Sequence, residues 1–141
     1  LTEKKNIIPS PDNNVNNVYS RLNADEIKRH ADAVSEIMRT EKLYLHETLS
    51  LRTLAGKLQK DPNLISYVLN NFFHKSFYDF VNDFRIEEVK NKIDDPAYAH
   101  FKIIEVAYEC GFNSKATFNR VFKKYTGKSP SEYKSRNASN G

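Results

Sequence analysis

The 141-residue chain has a single cysteine, Cys110, so no disulfide can form within it, and a reducing compartment suits it. It has no tryptophan, four glycines and five prolines, too few turn formers for a strand-rich fold, which leaves helices. No apolar run is long enough to span a membrane, and no signal peptide precedes the first charged residues. The four histidines, His30, His46, His74 and His100, are widely spaced, and none has a second ligand at a metal-site interval. No Ser/His/Asp or Cys/His set has supporting context, so neither an enzyme nor a cofactor is expected. Acidic groups are scarce towards the C-terminus: residues 112–141 hold seven Lys and Arg against one Asp or Glu, a charge of +6. Residues 1–49 hold seven against eight. A basic end on a near-neutral chain suits a polyanion partner.

Residues 1–22 open polar and Asn-rich ("KKNIIPSPDNNVNNV") and read as a flexible linker, and 136–141 as a disordered tail. The Asn137 glycosylation sequon in that tail has no meaning in a cytosolic chain. The chain begins with Leu1 rather than Met, which reads as a fragment of a longer protein. Between these ends, helical periodicity recurs. Residues 23–48 read as a lead-in helix and connector, with Asn23 or Asp25 as cap and Ile27, Ala31, Val34, Ile37 and Met38 on one stripe. Ser50 caps a short helix that buries Leu51, Leu54, Ala55 and Leu58. Asp61 caps the next, with Pro62 at its first position, the place each residue favours; Leu64, Ile65, Val68, Leu69 and Phe72 share its face. A longer helix covers about 76–93. Another runs from about Phe101 to Glu109, and one from Ser114 to Tyr125.

Displaced by about 53 residues, the sequence partly matches itself. Ile65-Ser66-Tyr67-Val68-Leu69 lies on Phe118-Asn119-Arg120-Val121-Phe122, Asp61 on Ser114, Phe72 on Tyr125 and Phe80 on Tyr133. Each copy reads as a short helix, a tight corner, a second helix and an aromatic anchor: a helix-turn-helix. Ala55 and Ala107 let the two helices of each copy approach. The corner needs a positive φ, which Gly111 adopts without strain; Gln59 stands at the equivalent position in the first copy, where a non-glycine residue costs roughly 1 kcal/mol.

The stretch "ECGFNSKATFNRVFKKYTGKSP" (109–130) then has a definite geometry. At about 3.6 residues per turn, Phe118, Val121, Phe122 and Tyr125 face inward. Ala116, Arg120 and Lys123 lie opposite, flanked by Thr117, Asn119 and Lys124, with Lys115 in the first turn, where a cation opposes the helix dipole. Such a face suits a major groove: Arg pairs with guanine, Asn with adenine, and an Ala or Thr methyl packs on thymine. Lysines suit phosphates. In the first copy Asn63, Ser66, Tyr67 and Asn70 are expected to point outward, polar but uncharged.

The residues from about Leu49 to Tyr133 resemble the DNA-binding domain of the AraC/XylS family of transcription regulators. The resemblance lies in "IIEVAYECGFNSKATFNRVFKKYTGKSPSEY" and, in the first copy, in "LRTLAGKL", "LISYVLNNFF" and "SFYDFVNDFRIEEVK". It implies an all-α fold of two helix-turn-helix subdomains joined by a long connecting helix and preceded by an extra N-terminal helix. The tandem domain spans 49–135: a first unit at 49–75, the connecting helix at 76–93 and a second unit at 101–135. It implies two recognition helices in successive major grooves, about 34 Å apart. Asn63, Ser66, Tyr67, Lys115, Ala116, Asn119 and Arg120 would read bases; Asn70, Thr117, Lys123, Lys124 and Lys128 would flank them or meet the backbone. Double-stranded DNA is the implied partner, with RNA polymerase and a second copy of the chain, joined through helix 23–40 or a region upstream, as further ones. The implied location is cytoplasmic, with no membrane contact by these residues, although a sensor or membrane region often precedes this module. The stretch 18–51 also resembles the helical lead-in of regulators from Bacteroides-like bacteria. Gln59, Lys60 and His74 depart from the family pattern, which has glycine, an apolar residue and glycine there, so the rigidity of the first unit is in question.

Other readings carry less. "TGKSP" lacks the glycine and the preceding strand of a phosphate-binding loop; Ser129-Pro130 instead starts a last short helix anchored by Tyr133. Cys110 reads as a small buried hydrophobe, and Glu87-Glu88 as a solvated helix face. The competing function is a helical protein-interaction module whose basic face tethers DNA without specificity.

Overall fold

Caps decide where the helices of this chain begin. A computed structural model describes residues 18–134; the polar stretch 1–17 and the end of the tail with Asn137 lie outside the described residues. Helix α1 (Ala24–Glu41) opens with a reciprocal cap: the Asn23 side chain accepts from the Glu26 N–H at 2.8 Å, and the Glu26 carboxylate accepts from the Asn23 N–H at 3.0 Å. Asn23, not Asp25, is therefore the cap. Ser50 caps α2 (Leu51–Leu58) through the Thr53 N–H, and Asp61 caps α3 (Pro62–Val68) through the Asn63 N–H. Ser114 caps α6 (Lys115–Thr126) through the Thr117 N–H. Between α3 and α6 come α4 (Phe77–Ile93) and α5 (Ile103–Glu109), with 3-10 turns at Leu43–Leu45 and Pro96–Tyr98. Residues 130–134 form the last helical turn, where Ser129 and Glu132 cap each other. Among the described residues no strand occurs, in keeping with an all-α helix-turn-helix fold.

The chain divides into two compact units. The first comprises residues 18–41 with Ser50–Phe77. Here α1 packs on α2, α3 and the turn after α3, burying Ala31, Val34 and Met38 against Leu54, Ala55, Ile65, Val68 and Leu69. Ala31, Val34 and Met38 of the apolar seam of α1 are thereby buried within the unit, while Ile27 and Ile37 stay half-buried. Helix α3 does not continue to Phe72 as its periodicity suggests. It widens into a π turn (Leu69–Phe73), which leaves Phe72 exposed beside Phe73.

The second unit comprises Lys42–Leu49 with residues 78–134. Its core gathers Ile86, Val89, Val106, Ala107, Cys110, Phe112, Phe118, Val121 and Phe122. An aromatic ladder runs through it, Phe112 to Phe118 to Phe122 to Tyr133, with ring centroids 5.2, 5.4 and 5.2 Å apart. Tyr133 is thus the anchor of the last turn. Such ring pairs hold geometry as well as bury area. Tyr125 departs from the inward face expected of it: its ring is partly exposed, and its hydroxyl donates to the Asp79 carbonyl at 3.2 Å.

Candidate nucleic-acid interface

In the second unit the corner is built by Gly111, at φ 103, between Cys110 and Phe112, which are both buried. Helix α6 follows with Phe118, Val121 and Phe122 turned into the core. Its remaining face is solvent-exposed at Lys115, Ala116, Asn119, Arg120, Lys123 and Lys124, with Thr117 half-buried at its edge. The sequence pattern singled out this same face. Lys115, Asn119 and Lys123 also border a groove of about 400 Å³, which Lys102 joins from the start of α5. Lys128, half-buried, lies just beyond Gly127, which ends α6 in left-handed backbone at φ 77. The Lys124 ammonium is 3.6 Å from the Asp79 carboxylate, an exposed pair. No acidic residue lies in α6.

In the first unit the corresponding corner is Gln59, and it adopts the left-handed conformation, at φ 55. His74 does the same at φ 57, closing the π turn. Both positions are those where the family pattern has glycine. On α3, Asn63 is exposed and Ser66 half-buried; Asn70, just past the helix, is exposed.

Tyr67 corrects its expected outward position. It is only 8% exposed, and its ring lies 5.8 Å from that of Tyr19. The Tyr19 hydroxyl donates to Asp61 at 3.0 Å, so the residue that caps α3 also holds Tyr19 over it. Burial, and then the Asp61 carboxylate, raise the Tyr19 phenol above its ordinary value. Residues 18–22, assigned by composition to the linker, thus supply a cover to α3.

The roles of two side chains escaped sequence reasoning. Arg85, 9% exposed, donates from Nε to the Tyr44 carbonyl at 2.7 Å and from a terminal nitrogen to the His46 carbonyl at 2.8 Å. Burial pulls its guanidinium down from the usual value. Glu88, read as part of a solvated pair, accepts from the Tyr44 hydroxyl at 2.8 Å, and its side chain is 16% exposed. Glu87 alone is the solvated member. The one available signal was an arginine set inside an apolar run, "DFRI".

Among the described residues no group of His, Cys, Asp and Glu could hold a metal ion, and no helix is long and apolar enough to cross a membrane. Tight corners, capped second helices and one outward polar face per unit define a helix-turn-helix protein. Residues 54–136 match the family model described as a helix-turn-helix domain, and the chain belongs to that family, of AraC type.

The chain is 28% identical over 134 residues to an uncharacterised HTH-type transcriptional regulator of Staphylococcus aureus (strain COL), covering 95% of this chain and 18% of that protein. It is 31% identical over 86 residues to the uncharacterised HTH-type transcriptional regulator YijO of Escherichia coli (strain K12), covering 61% of this chain and 29% of that one. The chain therefore spans less than a third of either regulator. Among solved structures it is similar to a DNA-binding transcriptional dual regulator from Escherichia coli K-12: TM-score 0.63, 26% identity, 75% of this chain and 89% of that one. Family and relatives make this a helix-turn-helix module of transcription-regulator type.

Proposed function

We propose that the chain is the sequence-specific DNA-binding part of a bacterial transcription regulator, reading double-stranded DNA with α3 and α6 in successive major grooves. The observation that carries this reading is the two-sidedness of α6. Its inner face is locked into an aromatic ladder, while Lys115, Ala116, Asn119 and Arg120 stand exposed on the other side. A rigid helix with exposed donors of fixed position can discriminate base edges, each good pair contributing about 1–3 kcal/mol. Thr117, Lys123, Lys124 and Lys128 flank the site and meet phosphates. Asn63, Ser66 and Asn70 form a second, uncharged reading face. Tyr67 joins it only when Tyr19 leaves its ring. The regulator acts in the cytoplasm, where its DNA and RNA polymerase are, and has no enzymatic role.

A binding selection from random duplexes of about 30 base pairs at near-physiological salt tests the reading. Two enriched blocks about one helical turn apart are expected. One block would assign recognition to α6 alone. Salt-dependent binding with no enrichment would overturn sequence specificity and favour the interaction-module reading.

A further inference from the structure

The connector Lys42–Leu49 runs from α1 to α2, both in the first unit, yet it packs within the second. It also lies outside the family match, which starts at residue 54. Its attachment is specific. The Tyr44 ring stacks on Phe84 with centroids 5.4 Å apart, its hydroxyl is held by Glu88, and its carbonyl accepts from Arg85. The Arg85 guanidinium reaches the His46 carbonyl as well and sits 6.0 Å from the centre of the Phe112 ring.

These groups close on the corner of the helix-turn-helix. A Cβ at Gly111 would lie 2.1 Å from the Tyr44 carbonyl oxygen and 2.6 Å from Arg85 Nε. The backbone of the corner is therefore seated directly on the connector and the guanidinium. The next residue, Phe112, touches Phe118, one residue before Asn119 on the exposed face of α6. Packed rings and a fork of hydrogen bonds to two carbonyls transmit position because neither deforms softly.

We propose that the connector is a working part of the second helix-turn-helix, with Arg85 as the positioning residue that joins the Tyr44 and His46 carbonyls to the Gly111–Phe112 corner and so sets the attitude of α6 on DNA. The proposal rests on the DNA-reading function above and adds to it the part that the connector plays.

Arg85→Met and Arg85→Lys test it in the 141-residue chain. The probes are the duplex enriched by selection and a random-sequence duplex of equal length, with helicity and thermal midpoint recorded in parallel. Arg85→Met is expected to lower affinity for the enriched duplex about tenfold, since a misplaced reading helix loses base contacts. Affinity for random duplex, set by exposed lysines, should change less than about twofold. Amide exchange should quicken at 110–112. Arg85→Lys keeps the charge but lacks the fork, and should fall between the two. An unchanged ratio of enriched to random affinity in a folded variant would overturn the proposal. So would equal loss on both duplexes together with loss of helicity in both variants, which would make Arg85 merely structural. A wild-type chain that prefers no duplex would sink the DNA-reading function itself, and this inference with it.

Discussion

Lys42, Gln59 and His74 hold left-handed backbone at φ 49, 55 and 57, a conformation that L residues with a Cβ enter at a cost of about 1 kcal/mol or more. Gln59 and His74 are exposed, so their side chains recover little of it. Gln59→Gly and His74→Gly should each stabilise the chain by about 0.5–1 kcal/mol, the relief of strain exceeding the added unfolded-state entropy. A thermal melt reads this as a rise of a few degrees. The glycines give the reverse comparison. Gly127, at φ 77, has nothing within 4 Å of an added Cβ, so Gly127→Ala should cost about 1 kcal/mol. Gly111→Ala adds a collision with the Tyr44 carbonyl and should cost at least about 3 kcal/mol in urea unfolding. Equal costs would mean that the corner is not seated on the connector. Cys110 supplies a pH test at the same scale. Burial pushes its thiol from 9.0 up to about 12, so the folded chain keeps the proton that the unfolded chain loses. That contribution is complete below pH 9 and is lost as pH rises towards 12. Cys110 should resist alkylation at pH 8 until the chain is unfolded, and Cys110→Ala should flatten the alkaline decline in stability.

At the scale of elements, α2, α3 and α6 each start on one short side chain, Ser50, Asp61 and Ser114. Ser114→Ala should cost about 1 kcal/mol, and Asp61→Ala at least as much, because Asp61 also holds Tyr19. Denaturant midpoints at unchanged slope would check both. These starts were legible in the sequence because a cap, a Pro at the first position and a positive-φ corner depend on a few neighbouring residues. Legibility failed where a residue answers to a distant one. Tyr67 was placed outward by its period, but its cover is Tyr19, tied to Asp61 across 42 positions. Arg85 and Glu88 answer to Tyr44, 41 and 44 positions away. Helix α4 defeats a single-face reading for a further reason: it buries Phe80, Val81 and Asn82 in succession and then Arg85 and Ile86. An element covered on several sides has no amphipathic period to read. The exposed face of α6 was legible from Lys115 to Lys124 because Phe118, Val121 and Phe122 mark the buried side, whereas Tyr125, at the end of that stripe, was misplaced.

For the whole molecule, the second helices of the two helix-turn-helix units, α3 and α6, differ in electrostatics. Helix α3, "PNLISYV", carries no charged residue, whereas α6 carries Lys115, Arg120, Lys123 and Lys124 with no acid between them. If affinity and discrimination are divided accordingly, Asn63→Ala with Ser66→Ala should weaken the selected duplex and leave the slope of log affinity against log salt unchanged. An unaltered affinity would refute the division. Each lysine that meets a phosphate contributes nearly one unit to that slope, so Lys123→Ala or Lys128→Ala should reduce it by about one. Lys124 should behave differently. Its ammonium already faces Asp79 at 3.6 Å, and to engage a phosphate it must exchange one anion for another. The exchange releases fewer counterions from DNA than a free lysine would, in net terms, so Lys124→Ala should lower the slope by less than Lys123→Ala does. Asp79→Asn removes the competing charge while keeping the Asp79 carbonyl that Tyr125 uses, and should raise affinity for selected and random duplexes alike. Titrations of the single and double variants across salt concentrations separate these cases. Should Asp79→Asn leave both affinities untouched even at low salt, Lys124 does not contact DNA.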